Sequence, residues 1–185
     1  KSSNFPDGNI VEKGAQAYKL RSTTSRNVFT CNSPMTGASS CSTGGLTTFN
    51  TTNVTKSALG NSSMSDTTQA ALVNWAMGLD AQDENLNGVT TTEMRPSAHG
   101  DVVHSRPVAV NFGAGTEATS NVVVFYGGND GWLRAVNGNR GDTINNTSIA
   151  TTYTPGRELW AFMPPEFQSK IQRLYDNTML VLYKG

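Results

Sequence analysis

The chain has 185 residues, a length that favours one ordinary domain over two. Hydrophobic residues make up 36% and charged residues 15%, both below the usual globular shares, and Thr, Ser, Asn and Gly fill the gap, which favours turns, short strands and loops. The 14 basic side chains balance the 14 acidic ones, so neither a phosphate-tracking surface nor charge-driven disorder is expected, and nucleic acid is excluded as a partner. No apolar run approaches the roughly 18 residues of a membrane span. Lys1-Ser2-Ser3 lacks the profile of a signal peptide and reads as a mature or excised end.

Residues 1–100 form a Ser/Thr/Asn-rich, loop-rich half in which 26–30 and 46–49 are the candidate strands, neither able to stand without a neighbouring sheet. Cys31 and Cys41 lie ten positions apart in a polar stretch, and a disulfide is the preferred reading. Closing that loop would add about 2–3 kcal/mol by restricting the unfolded chain, and it implies an oxidising compartment. Two free thiols are the alternative, while the spacing is too wide for a zinc knuckle. A helix over about 65–78 is predicted from Ser65 as cap, Asp66 in the first turn, Leu72, Trp75, Ala76 and Leu79 on one face, and Gly78 as stop.

Residues 101–185 read as β. Strands at 108–112, 121–126, 132–137 and 158–162 follow in series as an antiparallel meander, with its tightest reversal at Gly127-Gly128-Asn129-Asp130-Gly131. Pro164-Pro165 ends the last strand, a helix at 166–175 carries Phe167, Ile171 and Leu174 on one face, and 179–183 begins another strand. Four short antiparallel strands in about 55 residues have the rhythm of a propeller blade, and one blade cannot close a ring. The expected fold is therefore all-β with one or two short helices, a fragment of a modified β-propeller with one clear four-stranded blade.

Three groups of residues carry candidate chemistry. Asp80, Asp83, Asn85 and Asn87, followed by Gly88, place hard oxygen donors in one short loop suited to Ca²⁺. The spacing from Asp83 matches the first half of an EF-hand loop and then departs from it, because Glu93 falls one position before the bidentate site. A bound Ca²⁺ and a polar Asx-turn loop are the two readings. Arg140-Gly141-Asp142 lies in a Gly/Asn/Thr-rich loop between strands and resembles an integrin ligand, although such residues also serve merely to turn a chain. His99, Asp101, His104 and Ser105 suggest a metal site or a hydrolase constellation. A turn leading into the first strand of the meander is the preferred reading, because no strand-to-helix elbow surrounds Ser105 and a third zinc ligand is missing. Asn-x-Ser/Thr triplets at Asn50, Asn53, Asn61 and Asn146 mark loops expected to be exposed.

The runs Arg95-Pro96-Ser97-Ala98-His99-Gly100-Asp101-Val102-Val103-His104-Ser105-Arg106-Pro107, Val123 to Gly131, and Glu158 to Phe167 resemble the type IV pilus tip-associated adhesin family, the neisserial PilC and PilY type, within its C-terminal β-propeller domain. The resemblance implies a non-enzymatic, secreted protein that reaches the pilus tip through the periplasm. It also implies pilin and minor pilins as partners, a role in pilus biogenesis or in opposing retraction, and attachment to host or abiotic surfaces. The family's aspartate-rich calcium loop in later blades matches nothing here residue by residue. The run Asn129 to Val136 followed by Glu158-Leu159-Trp160 also resembles blades of quinone-dependent dehydrogenases, without the vicinal cysteines or the ligand set expected there. A strand-pairing structural subunit of a filament is a third reading.

Overall fold

The computed structural model describes residues 15–23, 25–31, 41, 45–95, 98–113, 121–146 and 151–176. Among them the elements run, in chain order, α1 (Ala15–Arg21), β1 (Val28–Cys31), β2 (Leu46–Thr48), α2 (Asp66–Ala76), β3 (Val108–Asn111), β4 (Val122–Gly127), β5 (Leu133–Asn137), β6 (Ile144–Asn146), β7 (Thr151–Tyr153), β8 (Glu158–Phe162), α3 (Pro165–Gln168) and α4 (Ile171–Tyr175). The strands are short because turn formers interrupt each β-branched run after a few residues.

The predicted meander is present: β3, β4, β5 and β8 pair antiparallel in that order, with β6 and β7 forming a separate two-stranded ribbon between β5 and β8. It is not a free-standing four-stranded blade. β1 lies parallel to β8, with Val28 opposite Ala161 and Phe29 opposite Phe162, and β2 pairs antiparallel with β1. The result is an open, mixed sheet of six strands in the order β2-β1-β8-β5-β4-β3, and the described strands close no ring. The pairing of β1 is reinforced by side chains: Asn27 Nδ2 donates to Tyr153 Oη and to the Leu159 carbonyl, and Thr30 Oγ1 donates to the Met163 carbonyl.

The helices also differ from expectation. α2 matches it closely: Ser65 Oγ accepts from Thr68 N at 3.0 Å, and Gly78, at φ 103°, supplies the left-handed residue that stops the helix. α1 was not anticipated, and the helix expected over 166–175 is two short pieces. Of the face expected there, only Ile171 is buried. Phe167 and Leu174 are exposed, and Gln168 turns inward to donate to Thr30 Oγ1. The strand expected at 179–183 lies outside the described residues.

The core lies between the sheet and α2. Phe49, Leu72, Val73, Ala76, Trp132, Met163 and Ile171 belong to one cluster, within which the rings of Phe49 and Trp132 meet edge to face at 5.0 Å. Trp132 Nε1 donates to the Ala76 carbonyl, so the largest core side chain also satisfies an otherwise orphaned carbonyl at the end of α2. Trp75 packs at the cluster's margin, edge to face with Tyr175 and beneath the Arg95 guanidinium at 3.9 Å.

Four charges run through this core. Arg134, fully buried on β5, makes two hydrogen bonds to Asp130, at 3.0 and 2.5 Å, and its Nε lies 3.4 Å from Glu158 Oε2. Glu158 in turn accepts two hydrogen bonds from Arg26, at 2.8 and 2.9 Å, and Arg26 Nη1 donates to the Met77 carbonyl at 2.7 Å. Glu158 is thus the single anion between two buried guanidinium groups. Glu158→Ala is expected to destabilise the fold by about 3–5 kcal/mol, because it leaves Arg26 buried without its anion and Arg134 with Asp130 alone. Lys56→Ala, which removes a pair whose Asp66 side chain is 95% exposed, should leave the midpoint almost unchanged. Urea unfolding followed by tryptophan fluorescence checks both, and equal midpoints for the two variants would contradict the ordering.

Candidate functional site

The segment after α2 turns back on itself. Leu79 bridges Met94, and Asp80 N donates to the Glu93 carbonyl at 3.0 Å, which closes residues 80–93 into a loop. Inside it, Asp80 Oδ1 accepts from Glu84 N, Asp83 Oδ1 from Asn87 N and Gly88 N, Asn85 Oδ1 from Asn87 N, and Asn87 Oδ1 from Val89 N. The bonds of Asn85 and Asn87, each to the backbone two residues on, are Asx turns, whereas those of Asp80 and Asp83 reach four or five residues on, and the left-handed φ of Gly88, 82°, is what allows the last reversal.

The structure brings Glu93 to the same place. Its carboxylate accepts from Asn85 Nδ2 at 2.8 Å and from Asn87 Nδ2 at 2.9 and 3.1 Å. Glu93 falls one position before an EF-hand loop's bidentate site, and it is the backbone closure at Leu79 and Met94, not an EF-hand register, that decides its position. Asp83, Asn85, Asn87 and Glu93 form one cluster of oxygen-bearing side chains, with Asn85 and Asn87 exposed and Asp83 and Glu93 half-buried. Asp80 is buried beneath the loop, with Oδ2 unpartnered. Among the described residues no three His, Cys, Asp or Glu side chains are grouped as metal ligands, so any cation here would rely on amide and backbone oxygens beside two carboxylates. That donor set suits a hard cation and not a thiophilic one.

Arg140, Gly141 and Asp142 sit in the short turn between β5 and β6 and not in a long unstructured loop. Asn137 Nδ2 and Asn139 Nδ2 donate to the Asp142 carbonyl at 3.0 and 3.3 Å, and Asn137 Nδ2 also reaches the Tyr153 carbonyl. All three residues are exposed, and a Cβ at Gly141 would meet no atom within 4 Å. The turn is pinned from beneath by its backbone while its two charged side chains face solvent.

The residues quoted for the family resemblance meet in one network. Gly100 N donates to Asp130 Oδ2 at 2.9 Å, Asn129 N to the Asp101 carbonyl at 2.7 Å, and Gly127 N to Ser105 Oγ at 2.8 Å. His99 Nε2 lies 2.9 Å from Tyr126 Oη, whereas His104 Nδ1 lies 3.2 Å from Asn129 Oδ1. His99, His104 and Ser105 are each paired with a separate group of the β4–β5 hairpin. Burial, reinforced by the nearby Arg134 charge, lowers the His99 pKa, and burial pushes Tyr126 up to about 12.

Cys31 and Cys41 form a disulfide with Cα atoms 5.4 Å apart, tying the end of β1 to the segment before β2. Asn61 is exposed as expected, but Asn50 and Asn53 are half-buried, because Asn50 Oδ1 accepts from Thr52 N and Asn53 N and Asn53 Nδ2 donates to the Thr48 carbonyl. Sequence reasoning missed Arg95, which stacks on Trp75, donates to its carbonyl and lies 3.5 Å from Glu84. Burial lowers its pKa to about 10. The local signal was weak, since a lone Arg after Met94 gives no hint of an aromatic partner 20 positions earlier. Comparisons with models of protein families, with curated proteins and with solved structures find no match.

Asp130 gives the network a pH signature. Burial alone would raise its pKa, but the Arg134 charge and hydrogen bonds, with the Gly100 N–H, outweigh burial and hold it at about 2, below the ordinary 3.8. Because the folded-state value is the lower one, its stabilisation is complete above the unfolded value and is lost as pH falls from about 4 through about 2. Asp130→Asn should lower stability at neutral pH and flatten this acid limb. Urea midpoints measured across that range check it, and parallel curves for the two proteins would refute it.

Proposed function

We propose that this chain is part of a non-enzymatic type IV pilus tip-associated protein of the PilC and PilY kind, acting in pilus biogenesis or against retraction and in attachment to host or abiotic surfaces. The observation that carries the reading is the joining of the three family-like motifs. Asp130 from the second and Glu158 from the third both pair with Arg134, and Gly100 and Asp101 from the first bond Asp130 and Asn129 of the second. Residues that resemble a family in three separate runs thus form one structural unit. On this reading β3, β4, β5 and β8 are one blade of a modified propeller, and further β-structure continues beyond them.

The same residues are engaged in framework bonds, so binding falls to the loops that the sheet supports. Ca²⁺ would be held by Asp83, Asn85, Asn87 and Glu93, with Asp80 beneath, and it would order the loop and not activate water. The Arg140-Gly141-Asp142 turn would offer a cation and a carboxylate to an integrin-like receptor. The Cys31–Cys41 disulfide fits an extracellular site reached through the periplasm.

In a piliated bacterium that encodes the protein, deleting the gene should reduce surface pili and attachment together. Wild type should restore both, while Asp142→Glu should restore pili without attachment. Normal piliation in the deletion strain would exclude the pilus role, and full attachment with Asp142→Glu would exclude the turn as the contact. Calorimetric titration with Ca²⁺ should give a binding heat that Asp83→Ala removes, and identical heats from both proteins would discard the calcium loop.

A further inference from the structure

The break between α3 and α4 leaves a groove of about 260 Å³ between the 129–131 turn and α4. Its walls combine two kinds of side chain. Phe167 and Leu174 are 48% and 38% exposed, although the sequence pattern favours burying both. Lys170 and Arg173 are also exposed, and neither forms an ion pair among the described residues. Asp130, the acidic residue of the lining, is already bound to Arg134 and Gly100 N, so it does not neutralise the two cations. Gly131 keeps one side low, since a Cβ there would approach Phe167 Cβ to 3.1 Å.

We propose that this groove docks an acidic peptide segment of a partner protein, anchored by an apolar side chain. Charge complementarity selects an acidic occupant, and the exposed Phe167 and Leu174 select one that also carries an apolar residue. The spacing agrees. Lys170 and Arg173 are three apart with helical backbone, which places their Cβ atoms about 5–6 Å from each other. Carboxylates at alternate positions of an extended peptide are about 6.5–7 Å apart on one face, leaving the intervening side chain to turn to the other. Residues 177–185 do not meet the requirement, because they contain Lys184 and neither Asp nor Glu. This surface shares no residue with the calcium loop or the 140–142 turn, and it does not depend on the pilus reading.

The test is fluorescence anisotropy of the chain with a labelled octapeptide alternating Asp with Leu or Phe, beside one with Lys in place of each Asp and one of Asp alone. The acidic-apolar peptide should bind and the Lys peptide should not. Lys170→Glu with Arg173→Glu, and separately Phe167→Ser, should each weaken binding about tenfold or more, with melting temperatures unchanged. A second measurement needs no variant: raising NaCl from about 50 to about 500 mM should weaken binding of the same peptide. Absence of binding by the acidic-apolar peptide would overturn the proposal. So would equal binding of the all-Asp peptide together with indifference to Phe167→Ser, which would reduce the groove to a surface that merely attracts anions.

Discussion

A guanidinium with no access to water must be paired, and Arg134 imposes that requirement at the centre of this molecule. The effective penalty for burying an ion is several kcal/mol even after relaxation, so the arrangement is viable only if anions arrive with good geometry. Asp130 comes from the hairpin turn four residues earlier. Glu158 comes from the neighbouring strand, and it brings Arg26 from far upstream. Two cations and two anions close into a neutral set. Its members fix the positions of the β4–β5 turn, the start of β8, the end of α2 through Met77, and the 99–101 segment through Gly100. Burial lowers and Asp130 raises the Arg134 pKa, and the pairing prevails. Such a network stabilises less than an apolar core of the same volume would. What it supplies is a demand that five separate segments assemble together.

The parts of this fold that were legible in the sequence are those fixed by near neighbours. Ser65, Asp66 and Gly78 mark the ends of α2 by local backbone chemistry, and the β-branched runs at 108–112, 121–126 and 132–137 give the meander. The parallel pairing of β1 with β8 was not legible, because its determinants lie 132 residues apart, with Arg26 on Glu158 and Asn27 on the Leu159 carbonyl. The split between α3 and α4 was hidden for a related reason. Gln168 is drawn inward by Thr30 Oγ1, a partner on β1, and that rotation sends Phe167 to the surface. The approach of Glu93 to Asn85 and Asn87 was not legible in EF-hand spacing, because the loop is closed across its base by the pairing of Leu79 with Met94.

Framework and surface are separated here by residue type. The motif residues most suggestive of chemistry, His99, His104 and Ser105, face the β4–β5 hairpin and are each paired there. The exposed polar features instead sit on closures that are themselves rigid. The 80–93 loop is pinned by Asp80 N on the Glu93 carbonyl, and the 140–142 turn by Asn137 and Asn139. Holding a loop from beneath by its backbone fixes its shape in advance, and it lowers the entropy lost when its side chains engage a partner.

The two edges of the sheet are unlike, and the difference bears on how the molecule extends. At one edge, β2 is three residues long, and the chain leaves it to bury Phe49, whose N–H bonds the Val28 carbonyl. That edge is short and soon capped. At the other, every residue of β3 is exposed, with Val108 56% and Val110 37% accessible and no Lys, Pro or bulge within the strand. Natural edges of this kind are normally blunted by charge or covered. Phe112, 63% exposed, continues the apolar surface by meeting Phe125 at 6.3 Å, and Phe125 meets Trp160 at 5.9 Å, so aromatic contacts run inward from the edge across the sheet. A strand or sheet added beside β3 would gain backbone hydrogen bonds and apolar burial in the same step, whereas one added beside β2 would find a short ladder.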